Sequence, residues 1–394
     1  MQAIILAAGK STRTWPLTLN RPKALLKVAD KTILCHNLEQ LQGIVDEAII
    51  IVGFGKELIR QEIGTKCCGI KIKYVEQKEQ LGTGHALLQA EKLAKDRFIV
   101  LMGDDIYFRQ DLEKCLKHKY CIMAQKVDDL RRFGAITVKK GALAGLVEKP
   151  TGMGGGLANT ACYIFGRKIF SYLKKIPKSE RGELELTDAV LLFAKQYKLA
   201  VEKANSWMPI TYPWSLLEAN EKLLANLGTD IKGEVEPYAT LKGAVKIGKG
   251  TLVKNGAYIE GPVMIGENCT IGPNCLIRGA TTIGNDCKVG NAVEVKNSMF
   301  MDGCRVDHLS YVGDSVLGEK VHLGAGTLIA NLRHDKSNVL SQVKNQLVDT
   351  GRTKFGAIVG DNAQTGVNTS IYPGRKIWPD KWTHPSEVVR KDII

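Results

Sequence analysis

Residues 245–295 read VKIGKG TLVKNG AYIEGP VMIGEN CTIGPN CLIRGA TTIGND CKVGNA VEV, a six-residue repeat that decides the fold of this part of the chain. The third place of each hexad holds a large aliphatic residue: Ile247, Val253, Ile259, Ile265, Ile271, Ile277, Ile283, Val289 and Val295. Two positions before each of these stands a smaller residue: Val245, Thr251, Ala257, Val263, Cys269, Cys275, Thr281, Cys287 and Val293. Because residues two apart in a strand share a face, both columns point inward, and three hexads form one triangular turn of 18 residues. The repeat predicts a left-handed parallel β-helix.

The repeat is interrupted in its later part. It shifts by one residue after Val295 and again near Leu317, and the aliphatic places there are Phe300, Val306, Val312, Leu317, Leu323 and Ile329. A last set, Val359, Thr365, Ile371 and Ile377, follows a polar stretch at 334–354. We expect the shifts to mark loops or irregular turns, and the polar stretch to leave the helix.

The first part of the chain has a different pattern. Up to about Ala225, short β-branched runs such as Ala48–Val52 alternate with amphipathic stretches such as Ile33–Leu41. This alternation predicts an α/β domain with a Rossmann-like, mainly parallel sheet. Helical periodicity stops after Gly228, so we expect the α/β domain at residues 1–228 and the β-helix at 229–394.

Composition narrows the class of protein. Of 394 residues, 44% are hydrophobic and 24% charged, as in soluble globular proteins. The formal net charge of +14 suits acidic small molecules as well as nucleic acid. The basic residues are scattered, without a tract interleaved with aromatic residues, which favours a solvated surface over a nucleic-acid partner. The longest apolar runs fall far short of the ~20 residues needed to cross a bilayer, so no membrane segment is expected. We therefore expect a cytoplasmic protein.

The ten cysteines indicate neither a disulfide framework nor a zinc site, because the chain has no C-x-x-C pair. Four of them, Cys269, Cys275, Cys287 and Cys304, stand two residues before an aliphatic residue of the repeat. A thiol there acts as a small apolar side chain. We predict a structural role for these four cysteines.

A candidate phosphate-binding loop follows the first strand. Ala3–Leu6 leads into Ala7-Ala8-Gly9-Lys10-Ser11-Thr12-Arg13, and Pro22-Lys23 comes soon after. A tight turn of small residues directs backbone N–H groups at one place, and the two cations can neutralise a polyphosphate. The Walker A pattern fails, since Ile4 occupies the place of its first glycine, and a simple turn after the strand is the alternative interpretation.

This loop resembles that of the sugar-1-phosphate nucleotidylyltransferases, and further motifs match in order. They are Gln77-Lys-Glu-Gln-Leu-Gly-Thr-Gly-His-Ala86, Gly103-Asp104, Phe133-Gly134, Glu148-Lys149-Pro150, Asn159 and Arg181-Gly-Glu-Leu-Glu-Leu-Thr-Asp188. With the β-helix behind them, the whole chain resembles the archaeal-type bifunctional enzymes with UDP-N-acetylglucosamine pyrophosphorylase and glucosamine-1-phosphate N-acetyltransferase activities.

The resemblance implies roles for individual residues of the first domain. Arg13 and Lys23 would be catalytic. Arg13 would hold the triphosphate of a nucleoside triphosphate, and Lys23 would lie at its α-phosphate. The nucleotide would be bound by Leu6, Ala8, Gly9, Gln77, Gly82 and Thr83. The sugar-1-phosphate would be bound by Gly134, Glu148, Lys149, Asn159 and Thr187. Asp104 would ligate Mg²⁺, a hard cation that prefers oxygen ligands.

Two departures from the family pattern stand out. Ser11 replaces a glycine that is usual in the first loop. Trp207-Met208-Pro209 stands where the family has W-x-D, and proline offers no side-chain ligand for the metal. The sequence therefore predicts a metal site with one protein carboxylate.

The repeat region carries a second set of motifs, Gly290–Lys296, Asp307–Asp314 and Gly324–Asn331, that resembles the acetyltransferase half of the bifunctional enzymes. Acetyl transfer needs a base to deprotonate the amine, and histidine is suited to this, so His308 is the candidate. The resemblance implies that Arg278 and Lys296 hold the sugar phosphate, Tyr311 and Asn331 the amino sugar, and Ala325 acetyl-CoA through its backbone N–H.

Three interpretations follow. The first is a homotrimeric enzyme that carries out nucleotidyl transfer and acetyl transfer toward UDP-N-acetylglucosamine. The second keeps nucleotidyl transfer alone, with the β-helix as a trimerisation scaffold. The third is a non-catalytic regulator that binds nucleotide sugars, for which Pro209 is the supporting feature. The sequence leaves open UTP against dTTP, the identity of the sugar and the role of residues 334–354.

Overall fold

A computed structural model describes residues 1–152 and 154–394 of the chain. The chain forms two compact units, and two short N-terminal segments belong to the second of them. The first unit comprises Met1–Lys10, Arg21–Leu25 and Thr32–Pro209, and the second comprises Ser11–Asn20, Leu26–Lys31 and Ile210–Ile394. The two short segments, Ser11–Asn20 and Leu26–Lys31, therefore belong to the second unit although the residues before and after each of them belong to the first.

In the described residues, fourteen strands and seven α-helices precede the repeat region. The strands are β1 Gln2–Ala7, β2 Lys27–Val28, β3 Lys31–Thr32, β4 Glu47–Val52, β5 Lys66–Cys67, β6 Ile70–Glu76, β7 Arg97–Met102, β8 Asp105–Tyr107, β9 Cys121–Val127, β10 Gly134–Lys139, β11 Ala142–Glu148, β12 Gly156–Gly166, β13 Ala200–Lys203 and β14 Trp207–Pro209. The helices are α1 Ile33–Leu41, α2 Lys56–Ile63, α3 Thr83–Gln89, α4 Arg109–Leu116, α5 Ile169–Leu173, α6 Leu186–Ala194 and α7 Ser215–Leu224.

The first unit is built on a ten-stranded sheet with the order β10-β11-β13-β9-β12-β7-β1-β4-β6-β5. Strands β7, β1, β4 and β6 are parallel, and apolar residues fill β1 and β4 because helices cover both faces there. This part confirms the Rossmann-like prediction.

The prediction of a mainly parallel sheet is wrong for most of the remaining strands. Strand β12 is antiparallel to both β7 and β9, and β10 is antiparallel to β11, whereas β13 is parallel to β9. For β10 and β11 the reason is the short turn at Lys140–Gly141, since a hairpin connection can join only antiparallel strands. The sheet is therefore mixed.

The repeat region forms three parallel sheets. Its strands are β15 Asp230–Ile231, β16 Glu234–Val235, β17 Thr240–Lys242, β18 Val245–Ile247, β19 Leu252–Val253, β20 Tyr258–Glu260, β21 Val263–Ile265, β22 Thr270–Ile271, β23 Leu276–Arg278, β24 Thr281–Ile283, β25 Lys288–Asn291, β26 Glu294–Lys296, β27 Met299–Phe300, β28 Arg305–His308, β29 Tyr311–Gly313, β30 Val316–Leu317, β31 His322–Leu323, β32 Leu328–Ile329, β33 Leu340–Val343, β34 Gln346–Asp349, β35 Ile358–Val359, β36 Ser370–Ile371, β37 Lys376–Ile377 and β38 Val388–Val389. From β15 to β32, successive strands visit the three sheets in turn.

Strand pairing in the repeat region follows the hexads. Val245 pairs with Val263, and Val263 pairs with Thr281, a separation of 18 residues each time. The aliphatic column is fully buried and forms one core together with the four cysteines of the repeat. The predicted parallel stacking and the structural role of those cysteines are confirmed.

The irregularities also have a structural basis. Ile283 pairs with Phe300, so one residue is missing from that turn. Strands β33 and β34 form a separate antiparallel hairpin within the polar stretch at 334–354. Val316 then pairs with Ile358, which resumes the stacking. In the described part of the chain the longest helix, α7, has ten residues, and no helix is long and apolar enough to cross a membrane.

Candidate active sites

The first candidate site lies at the carboxyl ends of β1 and β7. From β1 the chain proceeds to β4 and β6 on one side, whereas β7 lies on the other side, so these two neighbours form the switch point of the sheet. Their loops leave side by side, because the backbone N–H of Gly103 donates to the carbonyl of Leu6 over 2.9 Å. Ligands of open α/β sheets bind in the crevice at such a point.

Two predicted site residues meet there. The Nζ atom of Lys23 lies 2.7 Å from Oδ2 of Asp104. The lysine side chain is 8% exposed and that of the aspartate 35% exposed, so the ammonium group is held inside while the carboxylate reaches solvent. A cation and a hard oxygen ligand side by side suit a triphosphate with its metal ion.

The predicted loop residues of the first unit follow β1 at its carboxyl end. Leu6 is buried in β1, and the carbonyl of Ala8 accepts bonds from Phe54 N and from Nε2 of Gln80. Gly9 is exposed, and a Cβ atom there would meet no atom within 4 Å. The protein's own packing therefore leaves free the space in front of Gly9.

The predicted base-reading residues are joined by hydrogen bonds. Nε2 of Gln77 donates to the carbonyl of Gly82 over 3.1 Å, and Gln77 is buried. Gly82 has φ +97°, and a Cβ atom would lie 2.7 Å from the Leu184 carbonyl, so glycine is required at this position. The hydroxyl of Thr83 accepts a bond from Leu186 N over 3.2 Å. The next residue, Thr187, has a buried hydroxyl without a partner among the described residues.

Three predicted sugar-binding residues also converge. Gly134 and Glu148 are opposite each other in the β10–β11 pair. A Cβ atom on Gly134 would lie 3.3 Å from Oε2 of Glu148 and 3.4 Å from Cβ of Asn159. The Asn159 amide donates to the hydroxyl of Tyr163 over 2.7 Å, which fixes its orientation. Lys149 lies at the rim, with Nζ 3.4 Å from Glu148 Oε1.

The second unit contains the remaining part of the predicted loop. Arg13 is exposed in a single 3-10 turn, Thr12–Thr14. Ser11 has φ 49° and ψ 52°, the left-handed region that favours glycine. The carbonyl of Ser11 accepts from the hydroxyls of Thr14 and Thr18 at 2.8 and 2.9 Å, which holds this conformation. This left-handed backbone conformation explains why glycine is usual at this position in the family.

We expect Ser11→Gly to increase the free energy of unfolding by about 0.5 to 1 kcal/mol, because a left-handed conformation costs about 1 to 2 kcal/mol for a residue with a Cβ. Chemical denaturation followed by fluorescence measures the change. Lys10→Gly is the matched control. Lys10 has no positive φ, so this variant should be less stable than the wild type. A Ser11→Gly protein that is less stable than the wild type would contradict the interpretation that the backbone of Ser11 is strained.

Few side chains at the first site are candidates to ligate a metal ion. Pro209 lies opposite Asp105 in the β14–β8 pair, and Nε1 of Trp207 donates to Oδ2 of Asp105 over 3.2 Å. Among the described residues, no group of three or more His, Cys, Asp or Glu side chains is arranged to hold a metal ion. Asp104 with its exposed carboxylate fits a Mg²⁺ ion that takes most of its ligands from phosphates and water.

The second candidate site lies on the sheet that contains β23, β26, β29 and β32. Arg278 and Lys296 are neighbours on adjacent strands. Nε and Nη2 of Arg278 donate to Oε1 of Glu294 at 2.9 and 2.8 Å. Lys296 Nζ lies 3.3 Å from Oδ2 of Asp314. The two predicted phosphate-binding cations are therefore adjacent, and each has a carboxylate partner.

The predicted amino-sugar residues lie beside them. The amide of Asn331 donates to the hydroxyl of Tyr311 over 3.1 Å and to Oδ2 of Asp314 over 2.6 Å. Burial, together with the carboxylates of Asp314 and Glu294, raises the pKa of Tyr311. The phenol is thus neutral and able to donate a hydrogen bond.

His308 stands at the end of β28, and its side chain is exposed. Its carbonyl accepts from the hydroxyl of Ser310 over 2.7 Å and from Gly326 N over 3.2 Å, which ties the loop of Ala325 to the histidine. Burial by itself would raise the pKa of the preceding Asp307, but its ion pair with Lys288 and the nearby Arg305 hold that pKa below the usual value.

Sequence reasoning missed two carboxylates of this site. Asp314 and Glu294 are the partners of the predicted cations, yet neither was assigned a role from sequence. Asp314 ends the quoted motif Asp307–Asp314, and Glu294 lies within Gly290–Lys296. Their place in these motifs was the available signal.

The fold and sites define an α/β nucleotidyl-transfer domain followed by a region of parallel repeats. A family model described as "Nucleotidyl transferase" matches residues 2–226, and one described as "GMPPB C-terminal domain" matches residues 259–393. A solved structure described as a glucose-1-phosphate thymidylyltransferase from Bacillus anthracis, in complex with a sucrose, is 28% identical in sequence to this chain, with a TM-score of 0.53. That match covers 58% of this chain and 98% of that chain.

Several relatives are similar over the full length of this chain. The chain is 41% identical to the bifunctional protein GlmU of Methanocaldococcus jannaschii, over 100% of this chain and 96% of the relative. It is 39% identical to the bifunctional sugar-1-phosphate nucleotidylyltransferase/acetyltransferase of Sulfurisphaera tokodaii, over 100% and 98%. The chain belongs to this family of bifunctional enzymes, which confirms the resemblance found in its motifs.

Proposed function

We propose that this enzyme acetylates an amino-sugar-1-phosphate with acetyl-CoA and joins a sugar-1-phosphate to a nucleotide from UTP or dTTP, toward UDP-N-acetylglucosamine. The observation that carries the nucleotidyl-transfer half is the pair of Lys23 and Asp104, 2.7 Å apart at the switch point of the sheet. Two residues assigned independently, one to the α-phosphate and one to the metal, are neighbours.

Nucleotidyl transfer needs no protein base. An oxygen of the sugar-1-phosphate attacks the α-phosphorus, the bond from that phosphorus to the bridging oxygen breaks, and pyrophosphate leaves. Lys23 neutralises the charge that develops on the α-phosphate, and Arg13 the charge of the outer phosphates. Mg²⁺, when bound, neutralises the triphosphate, and Asp104 would hold it. Leu6, Ala8, Gly9, Gln77, Gly82 and Thr83 bind the nucleotide.

The sugar-1-phosphate is bound by Gly134, Glu148, Asn159 and Thr187, with Lys149 on its phosphate. The packing of Glu148 and Asn159 against the Cβ-free face of Gly134 supports this role, because a side chain at 134 would fill the space. The buried Thr187 hydroxyl, which has no partner among the described residues, supports it as well, since a buried hydroxyl is stabilised by a hydrogen-bond acceptor.

Acetyl transfer needs a base. His308 takes a proton from the ammonium group of the amino sugar, the free amine forms a C–N bond with the thioester carbon, the C–S bond breaks, and the thiolate of CoA leaves and takes up the proton that the new amide nitrogen loses. Arg278 and Lys296 hold the sugar phosphate, Tyr311 and Asn331 the amino sugar, and the N–H of Ala325 acetyl-CoA. The exposed ring of His308 is open to a substrate.

The activities divide the chain at about Gly228, and the repeat region is a left-handed β-helix that forms a homotrimer through its flat faces. The absence of disulfides among the ten cysteines, seven of them buried, fits a reducing cytoplasm. Light scattering at micromolar concentration should give three times the chain mass of 43.2 kDa. A monomer mass would contradict the trimer.

Separate measurements of pyrophosphate release and CoA release test the proposed function. Both are expected from the wild-type enzyme. Pyrophosphate release with no CoA release from any amino-sugar phosphate favours the scaffold alternative. Neither product, with retained binding of nucleotide sugar, favours the regulator.

Pro209 provides a test of the single-carboxylate metal site. We expect Pro209→Asp to lower the Mg²⁺ concentration for half-maximal pyrophosphate release roughly 3 to 10-fold, because a second carboxylate adds charge beside Asp105. Pro209→Asn is the matched control without charge, and Asp104→Asn should raise the requirement. An unchanged Mg²⁺ titration in Pro209→Asp would place position 209 outside the metal site, whereas an inactive wild type rescued by Pro209→Asp would favour the regulator.

A further inference from the structure

Asp314 is a buried carboxylate at the centre of the second site. It follows β29 directly, has φ 49° and is 2% exposed. Each of its oxygens has polar partners: Oδ1 accepts from the amide of Asn297 over 2.8 Å, and Oδ2 from the amide of Asn331 over 2.6 Å. Burial of a carboxylate has a high free-energy cost unless such partners compensate the loss of water.

The partners of Oδ2 are two of the residues assigned to the amino-sugar phosphate. Nζ of Lys296 lies 3.3 Å from this oxygen, and the Asn331 amide that donates to it also donates to Tyr311. One oxygen atom therefore fixes the ammonium group of Lys296 and the orientation of Asn331. Through Asn331 it also fixes the hydroxyl of Tyr311.

The other cation of the site is held less firmly. The side chains of Arg278 and its partner Glu294 are 40% and 31% exposed, whereas the side chains of Lys296 and Asp314 are 19% and 3% exposed. In an exposed ion pair the cation can exchange its carboxylate for a phosphate at little cost in free energy, because water screens the charges in both arrangements. The buried pair keeps its geometry, so Lys296 stays in place before the substrate arrives.

Asp314 is itself held from behind. The amide of Asn297 also donates to Oε1 of Glu221 in α7 over 3.0 Å, and Nη2 of Arg352 donates to the same oxygen over 2.6 Å. This chain of contacts orients the Asn297 amide toward Asp314. The position of the carboxylate is thus determined on both sides.

We propose that Asp314 is a positioning residue for acetyl transfer, which holds Lys296 and Asn331 in the arrangement that receives the phosphate and hydroxyl groups of the amino-sugar phosphate. The inference rests on the proposed acetyltransferase function. Preformed geometry of this kind accelerates a reaction by reducing the ordering needed when the substrate binds. Asp314 itself does not contact the reacting atoms.

The test compares Asp314→Asn with wild type in CoA release. We expect kcat/KM for glucosamine-1-phosphate to fall roughly 10 to 100-fold, mainly through KM, because the amide cannot accept at all the places where the carboxylate accepts. The KM for acetyl-CoA and the rate of pyrophosphate release should change less than about threefold. Asp335→Asn is the matched control, since Asp335 pairs with Arg333 on the exposed surface.

A second variant keeps the proposal testable if Asp314→Asn does not fold. Asn297→Ala removes one support of Asp314 and leaves Lys296 and Asn331 in contact with it, so KM for glucosamine-1-phosphate should rise about threefold. Equal changes of KM for both substrates, or unchanged kinetics in both variants, would overturn the positioning role. An absence of CoA release already in the wild type would instead remove the proposed acetyltransferase function, and the positioning role with it.

Discussion

His308→Ala is expected to abolish CoA release from acetyl-CoA and glucosamine-1-phosphate, with kcat reduced at least about 100-fold. The reason is that general bases contribute typically 10²- to 10⁴-fold, and no other histidine was assigned to deprotonate the amine. Pyrophosphate release should be unchanged, because none of the residues assigned to it lies in the repeat region and the reaction needs no base. Two coupled assays on one purified preparation measure both rates.

His384→Ala is the matched control for this experiment. His384 is exposed, like His308, and no catalytic role is assigned to it. The variant should keep both activities. If His308→Ala retains acetyl transfer within tenfold of the wild type, His308 is not the base.

Lys23→Ala is expected to reduce kcat/KM for pyrophosphate release by roughly 10²- to 10³-fold. Loss of one preorganised donor at a developing charge typically has an effect of this size. The buried ammonium group cannot be replaced by solvent at the α-phosphate, since the Lys23 side chain is only 8% exposed. Acetyl transfer by the same preparation should keep its rate.

Lys10→Ala is the control for Lys23, because Lys10 lies in the same loop with an exposed side chain. We expect a change of less than about threefold in pyrophosphate release. A Lys23→Ala enzyme within tenfold of the wild type would show that the contact with Asp104 is only structural. Thermal denaturation of both variants separates a loss of folding from a loss of activity.

The repeat region was predictable from its sequence because its contacts are periodic. Each inward place of a hexad meets the same place one turn away, as Val245 meets Val263. The side chains needed at each position therefore repeat along the chain, and the buried columns follow directly. Even the shift after Val295 and the excursion at 334–354 could be located by where the period fails.

The sequence also determined the class of chemistry. Ordered motifs identified Lys23, Asp104 and His308 as candidates, and the full-length relatives confirm the family. It did not determine the direction of the strands after β7, since an alternation of strands and helices resembles a parallel sheet until the hairpin connections are known.

Only the tertiary structure decided which charged groups meet. Lys23 and Asp104 are 81 residues apart in the chain, and Lys296 meets Asp314 through a turn of the repeat. Motifs give residue types, but ion pairs depend on distances between side chains from different strands. The strained backbone of Ser11 and the burial of Asp314 likewise depend on the surrounding packing, which no local stretch of sequence contains.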